Sequence, residues 1–175
     1  GEYIARDINK SIHYYSLAAN QNHPHAQYSL GVIYFRGEYI ARDINKAIYY
    51  FSLAANQNYP DAQYNLGVIY FTGEHIARDM NKAIHYLSLA ANRNQPQAQL
   101  IIGKWHLFGT FIEKDIKKGV FFICQSPFNG NKAAFFNVGY LFHEGKYLEK
   151  NIMEAIKYYK EASSFNNKYS KNNLG

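Results

Sequence analysis

One cysteine, Cys124, is too few for an internal disulfide framework in a chain of 175 residues. No apolar run approaches the roughly 20 residues of a membrane span. The chain does not open on Met, and its first residues show neither a charged start nor an apolar signal-type stretch. It therefore reads as a piece of a longer protein, without a targeting segment of its own. These absences favour a reducing, cytoplasmic setting without naming a compartment. Charge of one sign is scarce too: 19 Lys and Arg stand against 13 Asp and Glu, a formal +6 with no long block of either sign. Such a balance gives a mild attraction to anions and excludes a strongly basic tail. The glycines are not spaced as a phosphate-cradling loop. No cofactor is implied.

What the chain has is repetition. The decapeptide GEYIARDINK at residue 1 returns unchanged at residue 37. Shifting the sequence by 36 brings Gly1, Gly37, Gly73, Gly109 and Gly145 into register, and likewise Gly31, Gly67, Gly103, Gly139 and Gly175. Residues 1–36 and 37–72 agree at 29 of 36 positions, and 37–72 and 73–108 at 21. A fixed period of this length marks a stacked array, because one short unit cannot bury its own apolar face.

Each copy reads as two helices. In DINKAIYYFSLAANQN, Asp43 suits an N-cap, and Ile44, Ala47, Ile48, Phe51 and Ala54 fall at helical spacing. In YPDAQYNLGVIYFTG, Pro60 suits a first turn and Gly73 a left-handed stop. Segments such as GEYIARD are connections. Gly67 and its equivalents sit inside a helix, where glycine costs about 1 kcal/mol against alanine. Their recurrence predicts a close approach by the partner helix, whose small residues Ser11, Ala47, Ala83 and Gly119 also recur. The expected fold is all-α: a right-handed αα-hairpin superhelix, a solenoid of four to five 36-residue repeats. It is expected as a single domain over 1–175, with repeats 1–36, 37–72, 73–108, 109–144 and a partial 145–175.

The pattern A-x-x-x-L-G-x-x-Y, G, D-x-x-K-A, A-A stands here as Ala62, Leu66, Gly67, Tyr70, Gly73, Asp79, Lys82, Ala83, Ala90 and Ala91. It resembles the Sel-one-like repeat (SLR), which is similar to the tetratricopeptide (TPR) repeat of period 34. The resemblance covers essentially the whole chain and implies a non-catalytic adaptor that holds a protein or peptide. Departures come late. Lys132 replaces the proline of 24, 60 and 96; Pro127 is expected to end a helix early; and the tail KYSKNNLG would begin another first helix. Uncapped ends leave self-association open.

In tetratricopeptide arrays the first helix of each hairpin lines the concave side. On that face the sequence places His25, Tyr28, Val32, Phe35 and Arg36; Asp61, Tyr64, Val68 and Phe71; Gln97, Leu100, Lys104, Leu107 and Phe108; and Ala133, Phe136, Tyr140 and His143. Aromatics give large contact area at low entropic cost. The same residues could instead be buried between repeats. Positions that differ between matching copies are the better candidates, because packing does not fix them: His25/Asp61/Gln97, Arg36/Thr72/Phe108 and Val32/Val68/Lys104/Tyr140.

Two alternatives are weaker. Arg6, Arg42, Arg78, Lys114 and Lys150, with Lys10, Lys46, Lys82 and Lys118, could make a basic ridge for nucleic acid, but Asp7, Asp43, Asp79 and Asp115 interleave with it. A structural spacer would bind nothing. Metal and catalysis find no support. His13 and His85 lie two repeats apart, His23 and His25 stand alone, and Cys124 sits in an apolar stretch.

Overall fold

The computed structural model describes the backbone of residues 2–38 and 40–172, and the side chains of 8–38 and 40–164. Among the described residues all regular structure is helical: α1 (Glu2–Asn20), α2 (Pro24–Arg36), α3 (Ile44–Asn56), α4 (Pro60–Thr72), α5 (Met80–Asn92), α6 (Pro96–Phe108), α7 (Ile116–Gln125), α8 (Phe135–Glu144) and α9 (Ile152–Asn172), with one 3-10 turn at Lys132–Ala134. Residues 1–90 and 91–175 form two compact units.

The boundaries follow from repeated local chemistry. Asp43, Asp79 and Asp115 each accept a hydrogen bond from the amide three residues on, at 2.9, 3.0 and 3.0 Å, and Asn151 does the same for Glu154 at 3.0 Å. Proline opens α2, α4 and α6, where its missing N–H costs nothing. Gly37, Gly73, Gly109 and Gly145 end α2, α4, α6 and α8 at φ between 62° and 69°, a left-handed conformation suited to glycine. Each following connection is tied back by one bond: the Asp43 amide donates to the Tyr34 carbonyl, Asp79 to Tyr70, Asp115 to His106 and Asn151 to Phe142.

The identical decapeptides differ in conformation. Residues 37–38 and 40–43 lie in the expected connection, whereas the backbone of 2–10 is helical. At the second copy α2 precedes, and it supplies both the Tyr34 carbonyl and the Phe35 ring, over which the Arg42 guanidinium sits at 5.1 Å. The expected new helix at KYSKNNLG is not formed by its described part: α9 runs on unbroken to Asn172, and residues 173–175 lie outside the described ones. Pro127 does shorten α7, to 10 residues against 13 for α3 and α5.

In the first unit the buried core joins Ala47, Phe51, Ala54 and Ala55 of α3 to Ala62, Leu66 and Ile69 of α4. A second cluster, Ala19, Ala26 and Leu30, joins α1 to α2. In the second unit Leu107, Ile123, Val138 and Leu141 join α6, α7 and α8. The helical glycines are where these layers close. A methyl group on Gly31 would lie 2.5 Å from Phe51 Cδ1, and one on Gly67 would lie 2.6 Å from Leu87 Cγ. The expected partner-helix approach is therefore present, and a large side chain of that helix fills the gap.

Candidate functional site

The inner-face residues divide by unit. In the first unit Tyr28, Val32 and Phe35 are half-buried and pack against the α3–α4 core. Tyr28 has its ring 5.8 Å from Phe51 and 5.1 Å from Tyr59. Burial raises its phenol above the usual range, and the Asp61 carboxylate adds to this, while a hydrogen bond with Asn65 and the charge of Arg36 oppose it. Tyr64 is raised by burial alone, and Val68 is half-buried. Phe71 is half-buried beneath the Arg78 guanidinium, 5.1 Å from its ring. His25 is exposed with its edge to Tyr59. Arg36 is exposed and pairs loosely with Glu38 at 3.8 Å; an exposed pair of this kind contributes little. Val32, Ile33 and Arg36 line a shallow depression of about 150 Å³ with Ile8 and Glu38.

In the second unit the same positions stand further into solvent. Phe108 is 56%, Phe136 57% and Tyr140 48% exposed, and Gln97, Lys104 and His143 are exposed as well. Leu107, expected on this face, is instead 2% exposed and belongs to the core, because the helix turns it toward Ile123 and Val138. Phe108 meets Tyr147 edge-on at 6.4 Å. Gln97 accepts a hydrogen bond from Gln95.

Tyr159 of α9 belongs to this surface and was missed in the sequence. It occupies the repeat position of Phe51, Leu87 and Ile123, all buried. A methyl on Gly139 would lie 2.8 Å from its ring, so the ring fills the glycine gap. Its hydroxyl reaches out to His143 Nδ1 at 3.4 Å, and its ring lies 5.4 Å from Phe136. A polar-tipped residue at a core position was the available signal.

The polar staples between helices were also missed. Gln27, Gln63 and Gln99 are buried, and each donates to the carbonyl eight residues back, Ala19, Ala55 and Ala91. Asn22, Asn58 and Asn94 sit at φ near 60°, closing the turn inside AANxN. Both ladders are visible at the 36-residue period.

The basic ladder is engaged locally. Lys46, Lys82 and Lys118 pair with the capping aspartates at 3.6, 3.4 and 3.6 Å. Lys46 and Lys82 also lie over the Tyr34 and Tyr70 rings at 5.0 and 4.9 Å. The side chain of Arg6 lies outside the described ones. An open depression of about 470 Å³ lined by His106, Lys114, Lys117 and Lys118 also contains Glu113 and Asp115, so its charge is mixed. Among the described residues no group of His, Cys, Asp or Glu could hold a metal ion, and no helix is long and apolar enough to cross a membrane. Cys124 is half-buried, and burial pushes its thiol up, away from the reactive thiolate.

Stacked αα-hairpins with recurring Asp caps and mid-helix glycines define an all-α repeat protein. The Sel1 repeat model matches residues 1–23, 24–59, 60–95, 96–125 and 133–164, and the chain belongs to the Sel1 repeat family. Each full match pairs the glycine-bearing helix with the Asp-capped helix that follows. No curated protein is matched. Among solved structures, a Sel1 repeat protein from Oxalobacter formigenes is 27% identical with a TM-score of 0.82, over 93% of this chain and 47% of that one. The chain thus spans about half of that relative. Cysteine rich protein B of Helicobacter pylori is 27% identical with a TM-score of 0.58, over 75% of this chain and 94% of that one. Its name speaks of cysteines, which this chain, with Cys124 alone, lacks. Sel1 repeat proteins are protein-interaction scaffolds and, as a family, non-catalytic.

Proposed function

We propose that the chain is a non-catalytic scaffold that holds a peptide or partner surface on the inner face of its glycine-bearing helices. The observation that carries this is the partition of positions by repeat equivalence. Residues constant between copies, such as Ala62 and Gly67 and their equivalents, are buried. Several that vary, His25, Gln97, Lys104, Phe108 and Tyr140, are exposed on one side of those helices. A preformed rigid surface loses little ordering entropy on binding, so micromolar affinity, about −8 kcal/mol, is the expected scale. The basic ladder favours a protein over a nucleic acid, since Lys46, Lys82 and Lys118 are paired with the capping aspartates and Arg42 and Arg78 lie over Phe35 and Phe71.

The test is a cross-linking pull-down with the chain as bait, run beside a variant carrying Lys104→Ala, Phe108→Ala and Tyr140→Ala. All three side chains are exposed, so helicity should be unchanged while the captured protein is lost. Capture unaffected by the variant would refute the assignment. No specific capture would make the array a spacer. Captured nucleic acid whose affinity collapses between low and moderate salt would return the function to the basic ridge.

A further inference from the structure

Glu144 is out of place by local rules. It ends α8, where the helix dipole is negative and a cation is preferred. The equivalent residue of α2 is Arg36, which obeys the preference. Glu144 is exposed and makes no ion pair with any described residue. Choices that break a local rule without visible compensation point to function.

Its surroundings are aromatic. Phe136, Tyr140, His143 and Glu144 follow at helical spacing along one side of α8. Tyr159 stands against them, 5.4 Å from Phe136 and within 3.4 Å of the His143 ring nitrogen. Burial first, then the Glu144 carboxylate and Tyr140, raise the Tyr159 hydroxyl above its ordinary range. Elsewhere the chain covers such rings with its own cations: Arg42 over Phe35, Arg78 over Phe71, Lys46 over Tyr34 and Lys82 over Tyr70. Among the described residues no cation covers Phe136, Tyr140 or Tyr159 in this way. In α2 and α4 the residues equivalent to Tyr140 and Glu144 are Val32 and Arg36, and Val68 and Thr72, so this combination belongs to α8 alone among those three helices.

We infer that Phe136, Tyr140, Tyr159 and the Glu144 carboxylate form a subsite for a lysine or arginine side chain of the bound partner. A cation over aromatic faces is attracted by their quadrupoles, and a nearby carboxylate without an ion pair supplies the counter-charge. This rests on the scaffold reading and gives its partner a chemistry: a segment that presents a positive side chain to α8.

The test uses the whole chain and N-acetyl-lysine N-methylamide, followed by the aromatic NMR signals of Phe136 and Tyr140. The norleucine analogue, with the same stem and no charge, is the control. The lysine compound should shift these rings in a saturable way. Glu144→Gln should weaken it about three- to fivefold, and Tyr140→Ala should abolish it. Both variants should keep the parent helicity, since the side chains are exposed. Equal shifts from the norleucine compound, an unweakened Glu144→Gln variant, or no shift at about 50 mM would each overturn the subsite. Self-association weakened by Tyr140→Ala, with no response to lysine, would make the face a contact between copies and overturn it too. A pull-down partner lost with Lys104→Ala, Phe108→Ala and Tyr140→Ala but kept by Glu144→Gln would preserve the scaffold and sink only the cation.

Discussion

Replacing Gly119 by alanine should destabilise the protein, although two simpler arguments say the opposite. Alanine is favoured over glycine in a helix interior by about 1 kcal/mol. The equivalent residues of α3 and α5 are Ala47 and Ala83, so the repeat consensus also asks for alanine. The structure disagrees because α6 and α7 have closed into the space left open. A methyl group on Gly119 would lie 2.7 Å from the Leu107 amide nitrogen, 2.9 Å from the Gly103 carbonyl oxygen and 2.9 Å from Leu107 Cα. All three are backbone atoms, so no side chain can rotate away; the helices must part. At Gly31 and Gly67 the nearest atoms belong to the Phe51 and Leu87 side chains, and it is opposite these glycines that alanine occurs. Overpacking a close-packed interface costs about 1–3 kcal/mol and occasionally more. Backbone contacts this close put the site in the upper half of that range, about 2–3 kcal/mol, so net of the propensity gain the expected loss is about 1–2 kcal/mol, or roughly 2–8 °C in melting temperature. Urea and thermal unfolding of Gly119→Ala, followed by circular dichroism, read it directly. A midpoint at or above that of the parent would show that the helices relax freely and that the close approach is not a constraint.

The glutamine ladder and the caps give further outcomes. Gln27→Leu should cost more than Gln63→Leu: the Gln27 carbonyl accepts from the half-buried Gln57 amide at 2.7 Å, whereas Gln63 Oε1 has no hydrogen-bond partner among the described residues, and losing such a bond costs about 0.5–1.5 kcal/mol. Equal urea midpoints would refute that ordering. Asp79 and Asp115 are held below the ordinary 3.8, first by the amides of Lys82 and Lys118. A depressed carboxylate stabilises the fold above its unfolded value and loses this as pH falls through its folded value, so the caps should hold at pH 5 and weaken below about 4. In an Asp79→Ser, Asp115→Ser variant, which retains capping oxygens that do not titrate, stability should fall less steeply with acid. An identical slope would remove the caps from the acid response.

How much was legible depends on whether a residue's role is fixed within one repeat or by its neighbours. The 36-residue period, the Asp caps, the proline starts and the left-handed glycine stops are local, and each appears where the sequence placed it. The decapeptide shows the limit: GEYIARDINK is a connection at 40–43, where Asp43 bonds the Tyr34 carbonyl and Arg42 covers the Phe35 ring, while the backbone of the same letters at 2–10 is helical, so its conformation is not set by its own residues. The inner face is subject to the same limit. Tyr28 and Phe136 share a repeat position, yet Tyr28 is half-buried against Tyr59 while Phe136 is 57% exposed beside Tyr159. Helical periodicity assigns both to one side of their helices and says nothing of what covers that side. Leu107 and Phe108 are adjacent, and both were placed on the face; one turn of packing against Ile123 and Val138 sends the first into the core and leaves the second in solvent. In a repeat protein the equivalence of positions thus predicts the scaffold. Recognition chemistry arises where equivalence breaks, as it does at Glu144, where a carboxylate replaces the arginine of α2 and the threonine of α4 at a helix end that electrostatics would give to a cation.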